Sequence, residues 1–274
     1  MCKENFIHVC FIIDESGSMG GSENDVVGGF NKTINEQKAI EAGQCAVSFF
    51  SFNTRVNERF IGKDVSEVKP LEVGQYAWGN YRTITTSNAT YASIDAVLDN
   101  SIIDIGIHVE SKTSDPLYQY TPGGGTAMND AIGTAINKIG KWLSEMPEEE
   151  RPSKNLIVIM TDGEENSSRE YSLSQIKDMI QHQTEKYNWS FVYMGMDITS
   201  IDAAENLGIT SRSYTSKSSE SITKSWDNIS YLNTCYRNAV CTADADLAYE
   251  TFNAKLTEDT TLYESQTGIK IENK

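Results

Sequence analysis

The sequence predicts an α/β protein: a doubly wound, mostly parallel central sheet with one antiparallel edge strand and helices on both faces. Three observations carry that expectation. Apolar runs of strand length alternate along the chain with amphipathic stretches of helix length. The run Leu156-Ile157-Val158-Ile159-Met160 is apolar throughout, as a parallel strand buried on both faces requires. Two strand-like runs, Gln44 to Phe52 and Arg55 to Ile61, are separated only by Asn53-Thr54, a break too short for a crossover helix and suited to an antiparallel hairpin.

Taken in order, the chain opens on the strand Phe6 to Ile13, which ends in Asp14-Glu15-Ser16-Gly17-Ser18. Glu23 to Glu41 carries Val26, Val27, Phe30, Ile34 and Ile40 at helical spacing, with Ser22 placed as N-cap, Asp25 three residues on, and Gly43 as the stop. The hairpin follows, its second strand at the sheet edge, and then a short helix over Val65 to Leu71. Over about 72–117 the periodicity is lost among Gly, Ser and Thr, with Tyr76, Trp78, Tyr81 and Tyr91 interspersed and a helix expected from Thr90 to about Ile103. This stretch reads as an insertion: either a contact surface, with Trp78 as its anchor, or a cover for the domain's own apolar surface.

Tyr120-Thr121-Pro122-Gly123-Gly124-Gly125-Thr126 is a glycine-rich loop opening a helix from Ala127 to about Glu145, whose apolar face runs from Met128 through Ile132, Ile136 and Ile139 to Trp142 and Leu143. The central strand ends in Thr161-Asp162-Gly163-Glu164-Glu165. Tyr171 to Tyr187 reads as a helix with Leu173, Ile176, Met179 and Ile180 inward, Trp189 to Met194 as a strand, Asp197 to Leu207 as a short helix ended by Gly208, and Ser211 to Tyr214 as a strand. The helix Glu220 to Val240 is amphipathic through Ile222, Trp226, Ile229, Leu232 and Tyr236. Residues 1–242 thus form one domain, and 243–274 a C-terminal extension with a helix over Asp244 to Leu256.

A net charge of -16 over 274 residues disfavours nucleic-acid phosphates, and points to cations or cation-bridged partners unless it serves solubility alone. Five cysteines without CxxC spacing, two of them (Cys10 and Cys45) inside apolar strands, read as reduced thiols. The N-terminus lacks the features of a secretory signal and no run approaches a membrane span, so the expectation is a cytoplasmic protein with neither membrane nor nucleic-acid partner. The oligomeric state is left open.

Function concentrates where loops meet. In a doubly wound sheet the functional loops lie at the carboxyl ends of the strands, which lets Asp14 to Ser18, Thr126 and Asp162 converge. They offer hydroxyls from Ser16, Ser18 and Thr126 and carboxylates from Asp14 and Asp162, an all-oxygen set suited to Mg²⁺ or Mn²⁺. Hydroxyl-rich coordination leaves a dication under-neutralised and seeking an outside oxygen, most simply a carboxylate of another chain.

Asp-x-Ser-x-Ser after the first strand (Asp14, Ser16, Ser18), Gly-Gly-Thr at a helix entry (Gly124, Gly125, Thr126) and Thr-Asp-Gly after an apolar strand (Thr161, Asp162, Gly163) together resemble the von Willebrand factor A (vWA) domain and its metal-ion-dependent adhesion site, MIDAS. Gly28-Gly29-Phe30-Asn31 and Phe191 to Asp197 extend the likeness toward the intracellular single-domain members of bacteria and phages, whose location would be the host cytoplasm if phage-encoded. The resemblance implies a Rossmann-like sheet and direct metal contact by Ser16, Ser18 and either Thr126 or Asp162, with Asp14 acting through water. It also implies a partner's Glu or Asp completing the shell. The insertion and the tail depart from the pattern.

Enzyme readings fit less well. A phosphoaspartyl phosphatase built on Asp14 needs a carboxylate where Ser16 stands, and a serine hydrolase needs a glycine elbow that Ser16 and Ser18 lack. The glycine run lacks the following Lys-Ser/Thr of a phosphate loop. Of the histidines, His8 reads as a core or edge residue, His108 as solvated in the insertion and His182 as lying on a helix face. Glu164 and Glu165 read as a solvated helix entry rather than extra acidity at the cation. No catalytic or organic-cofactor residue is assigned; the alternative function is a metal-dependent enzyme or a phosphate or nucleotide binder on the same scaffold.

Overall fold

Alternation along the first strand decides the layering. In β1 (Lys3–Asp14), Ile7, Val9, Phe11 and Ile13 enter one apolar core while Cys10 and Ile12 enter another on the opposite face. The computed structural model describes residues 3–74, 84–86, 89–91, 115–162, 165–196, 201–214, 218–239, 246–254 and 256. β2 (Gln44–Phe52) and β8 (Pro152–Thr161) flank β1 in parallel, β9 (Ser190–Gly195) and β10 (Ser211–Tyr214) continue the sheet beyond β8, and β3 (Val56–Asp64) closes the other edge antiparallel to β2. The order is therefore β10-β9-β8-β1-β2-β3. This is the expected mostly parallel sheet with one antiparallel edge strand.

On one face lie α1 (Glu23–Ala39), α5 (Ser219–Asn238) and a further helix, α6, over 246–254 with Leu256; on the other lie α2 (Met128–Ser144), α3 (Leu173–Tyr187) and α4 (Ile201–Asn206). β8 is buried on both faces, Leu156, Val158 and Met160 in the α1 core and Ile157 and Ile159 in the α2 core. Phe252 and Leu256 of α6 join the α1 core beside Trp226 and Ile229, and buried Lys154 donates to Asp246 Oδ1 at 2.6 Å. The described residues beyond 242 thus pack on the same body as those before.

Several local expectations differ. The helix over Val65 to Leu71 is only a 3₁₀ turn, Val65–Glu67, because Pro70 holds the preceding residue out of the helical region. Ser22 stands at the N-cap of α1 without a side-chain capping bond; Glu23 instead accepts the Gly21 amide. Leu173 is 40% exposed, as the first residue of α3 lies before its apolar stripe meets the sheet.

In the insertion, Thr90 and Tyr91 belong to a short strand, β6 (Ala89–Tyr91), paired with β5 (Ile84–Thr86), rather than to a helix. The rest of that helix, with Tyr76, Trp78, Tyr81, His108, and also Gly163, Glu164, Asp197, Cys2 and Cys241, lies outside the described residues. Both ends of the insertion are tied together: β4 (Glu72–Val73) pairs in parallel with β7 (Gln119–Tyr120), and Gly74 N donates to Tyr120 O at 2.8 Å.

Candidate metal centre

β1 is the point at which strand order reverses: the chain winds from it to β2 and β3 on one side and later to β8, β9 and β10 on the other. Loops leaving adjacent carboxyl ends at such a point diverge to opposite faces and leave a crevice between them. Asp14, at the end of β1, and Asp162, directly after β8, stand on its two sides.

Asp14 is fully buried. Its Oδ1 accepts the Ser16 amide at 2.6 Å and its Oδ2 accepts the Thr161 hydroxyl at 2.6 Å, so one carboxylate ties the turn after β1 to the end of β8. Burial pushes its pKa up to about 6, opposed by the Thr161 and Ser16 hydrogen bonds, with the Asp162 charge adding to the rise. Ser16 Oγ lies 2.9 Å from Ser18 Oγ, and Ser18 Oγ donates to Asp162 Oδ1 at 2.7 Å.

Thr126 reaches the same place through backbone bonds. Gly17 N donates to Gly124 O at 3.0 Å and Gly123 N to Glu15 O at 2.7 Å, which lashes the glycine loop to the turn after β1. Gly124 sits at φ +87, a conformation side chains resist, and a Cβ on Gly125 would come within 2.3 Å of Ser167 Oγ. Asn166 Oδ1 accepts the Thr126 amide at 2.8 Å, while the amides of Asn166 and Ser167 donate back to Thr126 O at 3.0 and 3.1 Å. The five residues singled out in the sequence thus stand on three mutually hydrogen-bonded loops; direct side-chain contact joins Ser16, Ser18 and Asp162.

The donor set fits a hard dication. The hydroxyls of Ser16 and Ser18 and the carboxylate of Asp162 form a contiguous row of oxygens, hydrogen-bonded to one another at 2.9 and 2.7 Å, of the kind that Mg²⁺ and Mn²⁺ take as ligands. Among the described residues no group of three or more His, Cys, Asp and Glu side chains comes together, so what converges here is a hydroxyl-rich set rather than a carboxylate or thiolate cage.

Three acidic side chains that sequence reasoning left without this role build the frame. Glu15 is 2% exposed; Arg59 Nη2 donates to its Oε1 and Oε2 at 3.1 and 2.9 Å, and the Thr121 amide adds a third bond at 3.2 Å. Glu165, read as a solvated helix entry, instead accepts the amides of Asn129 (2.8 Å), Ser167 (2.9 Å) and Ser168 (2.7 Å), so it caps α2 and folds its own loop back. Asp130 in the first turn of α2 accepts the amides of Arg169 (2.8 Å), Glu170 (2.9 Å) and Tyr171 (2.9 Å). The pair Glu165-Ser168 carries a weak local signal; Asp130 with Tyr171, and Glu15 with Arg59, carry none, because their contacts join residues 41 and 44 positions apart.

One further constellation has the form of a nucleophile triad. His8 Nε2 lies 2.7 Å from Ser48 Oγ and Nδ1 3.1 Å from Asn155 Oδ1. His8 and Ser48 are fully buried, Trp142 lies against the imidazole at 4.9 Å, and burial lowers the His8 pKa to about 3. No substrate reaches it; it is a neutral core network, as befits a histidine inside the first strand.

No family model matches the chain, and no curated protein matches it. Solved structures do resemble it in chain path. Proximal thread matrix protein 1 from the mussel byssus matches with a TM-score of 0.47 at 15% identity over 84% of this chain and 47% of that one. A von Willebrand factor type A structure from Catenulispora acidiphila matches with a TM-score of 0.43 at 14% identity over 84% of this chain and 42% of that one. The manganese-loaded TRAP protein of Plasmodium vivax matches with a TM-score of 0.42 at 15% identity over 82% of this chain and 74% of that one. The chain therefore spans less than half the length of the first two. No helix among the described residues is long and apolar enough to cross a membrane.

Proposed function

We propose that this protein is a metal-dependent protein-binding module of the von Willebrand factor A type, acting in the cytoplasm, in which Asp14, Ser16, Ser18, Thr126 and Asp162 hold Mg²⁺ or Mn²⁺ and a Glu or Asp of a partner protein completes the shell. The observation that supports this most directly is the row of oxygens from Ser16 through Ser18 to Asp162, set in the crevice where strand order reverses. When bound, the dication supplies an electrophilic coordination position for an outside carboxylate. Ser16 and Ser18 contribute oxygen without charge, Asp162 contributes one carboxylate, and Asp14 orients the turn from beneath through Ser16 and Thr161. Such a set holds the ion while leaving its charge incompletely neutralised, which favours a carboxylate-bearing partner over inert retention.

Calorimetric titration with Mg²⁺ and Mn²⁺ tests the site. Ser16→Ala/Ser18→Ala is expected to abolish measurable affinity; equal affinity in wild type and variant would sink the reading. A partner retained from the native cell in Mg²⁺ and released by EDTA is the second requirement, whereas turnover of a phosphoester by the loaded protein would favour an enzyme instead.

A further inference from the structure

Glu15 is the carboxylate nearest in sequence to the proposed ligands, yet its side chain is engaged elsewhere. It lies between Asp14 and Ser16, its amide donates to Phe52 O at 2.6 Å, and its carbonyl accepts from Gly123, so the residue cannot leave the turn. Its carboxylate is held by Arg59 and the Thr121 amide. Arg59 is itself fixed: Nε donates to Ser51 Oγ at 2.8 Å and Nη1 to Pro116 O at 2.6 Å, and its side chain is 15% exposed. The guanidinium therefore binds the sheet edge, the root of the insertion and the metal-loop carboxylate at once. A planar fork with five donors does this, and an ammonium does not.

We propose that Arg59 is a positioning residue that sets the charge at the metal loop: by neutralising Glu15 and holding its carboxylate away from the Ser16–Ser18–Asp162 row, it keeps a bound dication short of negative charge and open to a partner's carboxylate. The inference rests on the binding function proposed above and deepens it, since it assigns the site's partner-dependence to a residue that is not a ligand. A buried carboxylate one residue from two ligands, stripped of its counter-charge, would stabilise a cation directly. Arg59 prevents that.

The test is a double-mutant cycle on Mg²⁺ and Mn²⁺ affinity by calorimetry, using the full chain with the metal alone. Arg59→Met is expected to tighten metal binding about tenfold, because the Glu15 charge is released toward the cation. Glu15→Gln is expected to weaken it about tenfold, because the Arg59 charge is left uncompensated. Glu15→Gln/Arg59→Met is expected to return to within about threefold of wild type. A structural role alone would weaken binding in both single variants and leave the double variant no better. That result, or no change in either, overturns the proposal while leaving the metal site standing. Should Arg59→Met fail to fold, as judged by circular dichroism in EDTA, Glu15→Gln alone can still overturn the proposal, since unchanged or tighter binding contradicts the charge argument. If wild type and Ser16→Ala/Ser18→Ala bind metal alike, the site itself is wrong, a distinct outcome.

Discussion

Gly28 and Gly29 are neighbours in α1 and face opposite fates if either gains a methyl group. A Cβ on Gly29 would lie 2.0 Å from Cδ1 of Trp226 and 2.2 Å from both Cγ and Nε1, whereas a Cβ on Gly28 would meet nothing within 4 Å. Carbon atoms rest at about 3.5–4.0 Å, so Gly29→Ala requires the indole or the helix to move by about 1.5 Å. Trp226 has little room to do so: it is 1% exposed and packs on Phe11 at 5.8 Å between ring centroids. Overpacking of this kind costs about 1–3 kcal/mol, and the gain in helix propensity from removing a glycine returns about 1 kcal/mol. Gly29→Ala is thus expected to destabilise by up to about 2 kcal/mol and Gly28→Ala to stabilise by about 1 kcal/mol. Urea unfolding of both variants at constant m-value measures the difference, and Trp fluorescence of the native baseline reports any repacking. Shifts of the same sign would refute the reasoning, because intrinsic propensity treats the two positions identically and only the approach of α1 to α5 separates them.

Other consequences are separable. His8 has a folded-state pKa of about 3 against an ordinary value of 6.5, so between those values the unfolded chain binds more protons and stability rises with pH. The contribution of neutral His8 is present above pH 6.5 and is lost as pH falls toward 3; between pH 7 and 5 the loss amounts to about 2 kcal/mol. His8→Gln is expected to flatten this slope in urea titrations at the two pH values, and an unchanged slope would remove His8 as its source. Phe252 is fully buried in the α1 core, so Phe252→Ala is expected to cost about 3–5 kcal/mol of global stability. A loss below about 1 kcal/mol would show that α6 docks without contributing to the core.

The sheet was legible because its strands differ in pattern: the centre of β8, Leu156 to Met160, is apolar throughout, and β2 and β3 are joined by three polar residues, too few for a crossover helix. Helix faces were legible for the same reason, and Ile222, Trp226, Ile229, Leu232 and Tyr236 are all buried as their spacing requires. Ser16, Ser18 and Asp162 were legible because each follows directly on a strand whose end is sharply marked. What stayed hidden depends on contacts distant in sequence. Arg59 meets Glu15 across 44 positions and the Tyr120 hydroxyl meets Asp14 O across 106, at 2.7 Å; neither pair has a local signature. The helix expected over Val65 to Leu71 is only a 3₁₀ turn, because Pro70 restricts the residue before it to extended backbone.

The way the loops are anchored decides which substitutions test the metal site cleanly. The turn after β1 is held by the Glu15 amide on Phe52, the Gly123 amide on Glu15 and the Gly17 amide on Gly124; the glycine loop is held in addition by Asn166 on Thr126 and by Tyr120 on the Asp14 carbonyl. None of these bonds passes through the hydroxyl of Ser16 or Ser18. Removing those hydroxyls takes oxygens from the crevice and leaves the anchors, so a lost metal affinity in Ser16→Ala/Ser18→Ala reports on ligation. Asp14 is different, because its two carboxylate oxygens hold Ser16 and Thr161. Asp14→Ala would unlatch the turn from β8 as well as remove a charge, and a loss of binding there could not be assigned to either. The serines carry no charge, and the bonds named for their hydroxyls, to one another and to Asp162 Oδ1, lie among the ligand oxygens themselves, so chemistry and architecture separate further at these positions than at Asp14.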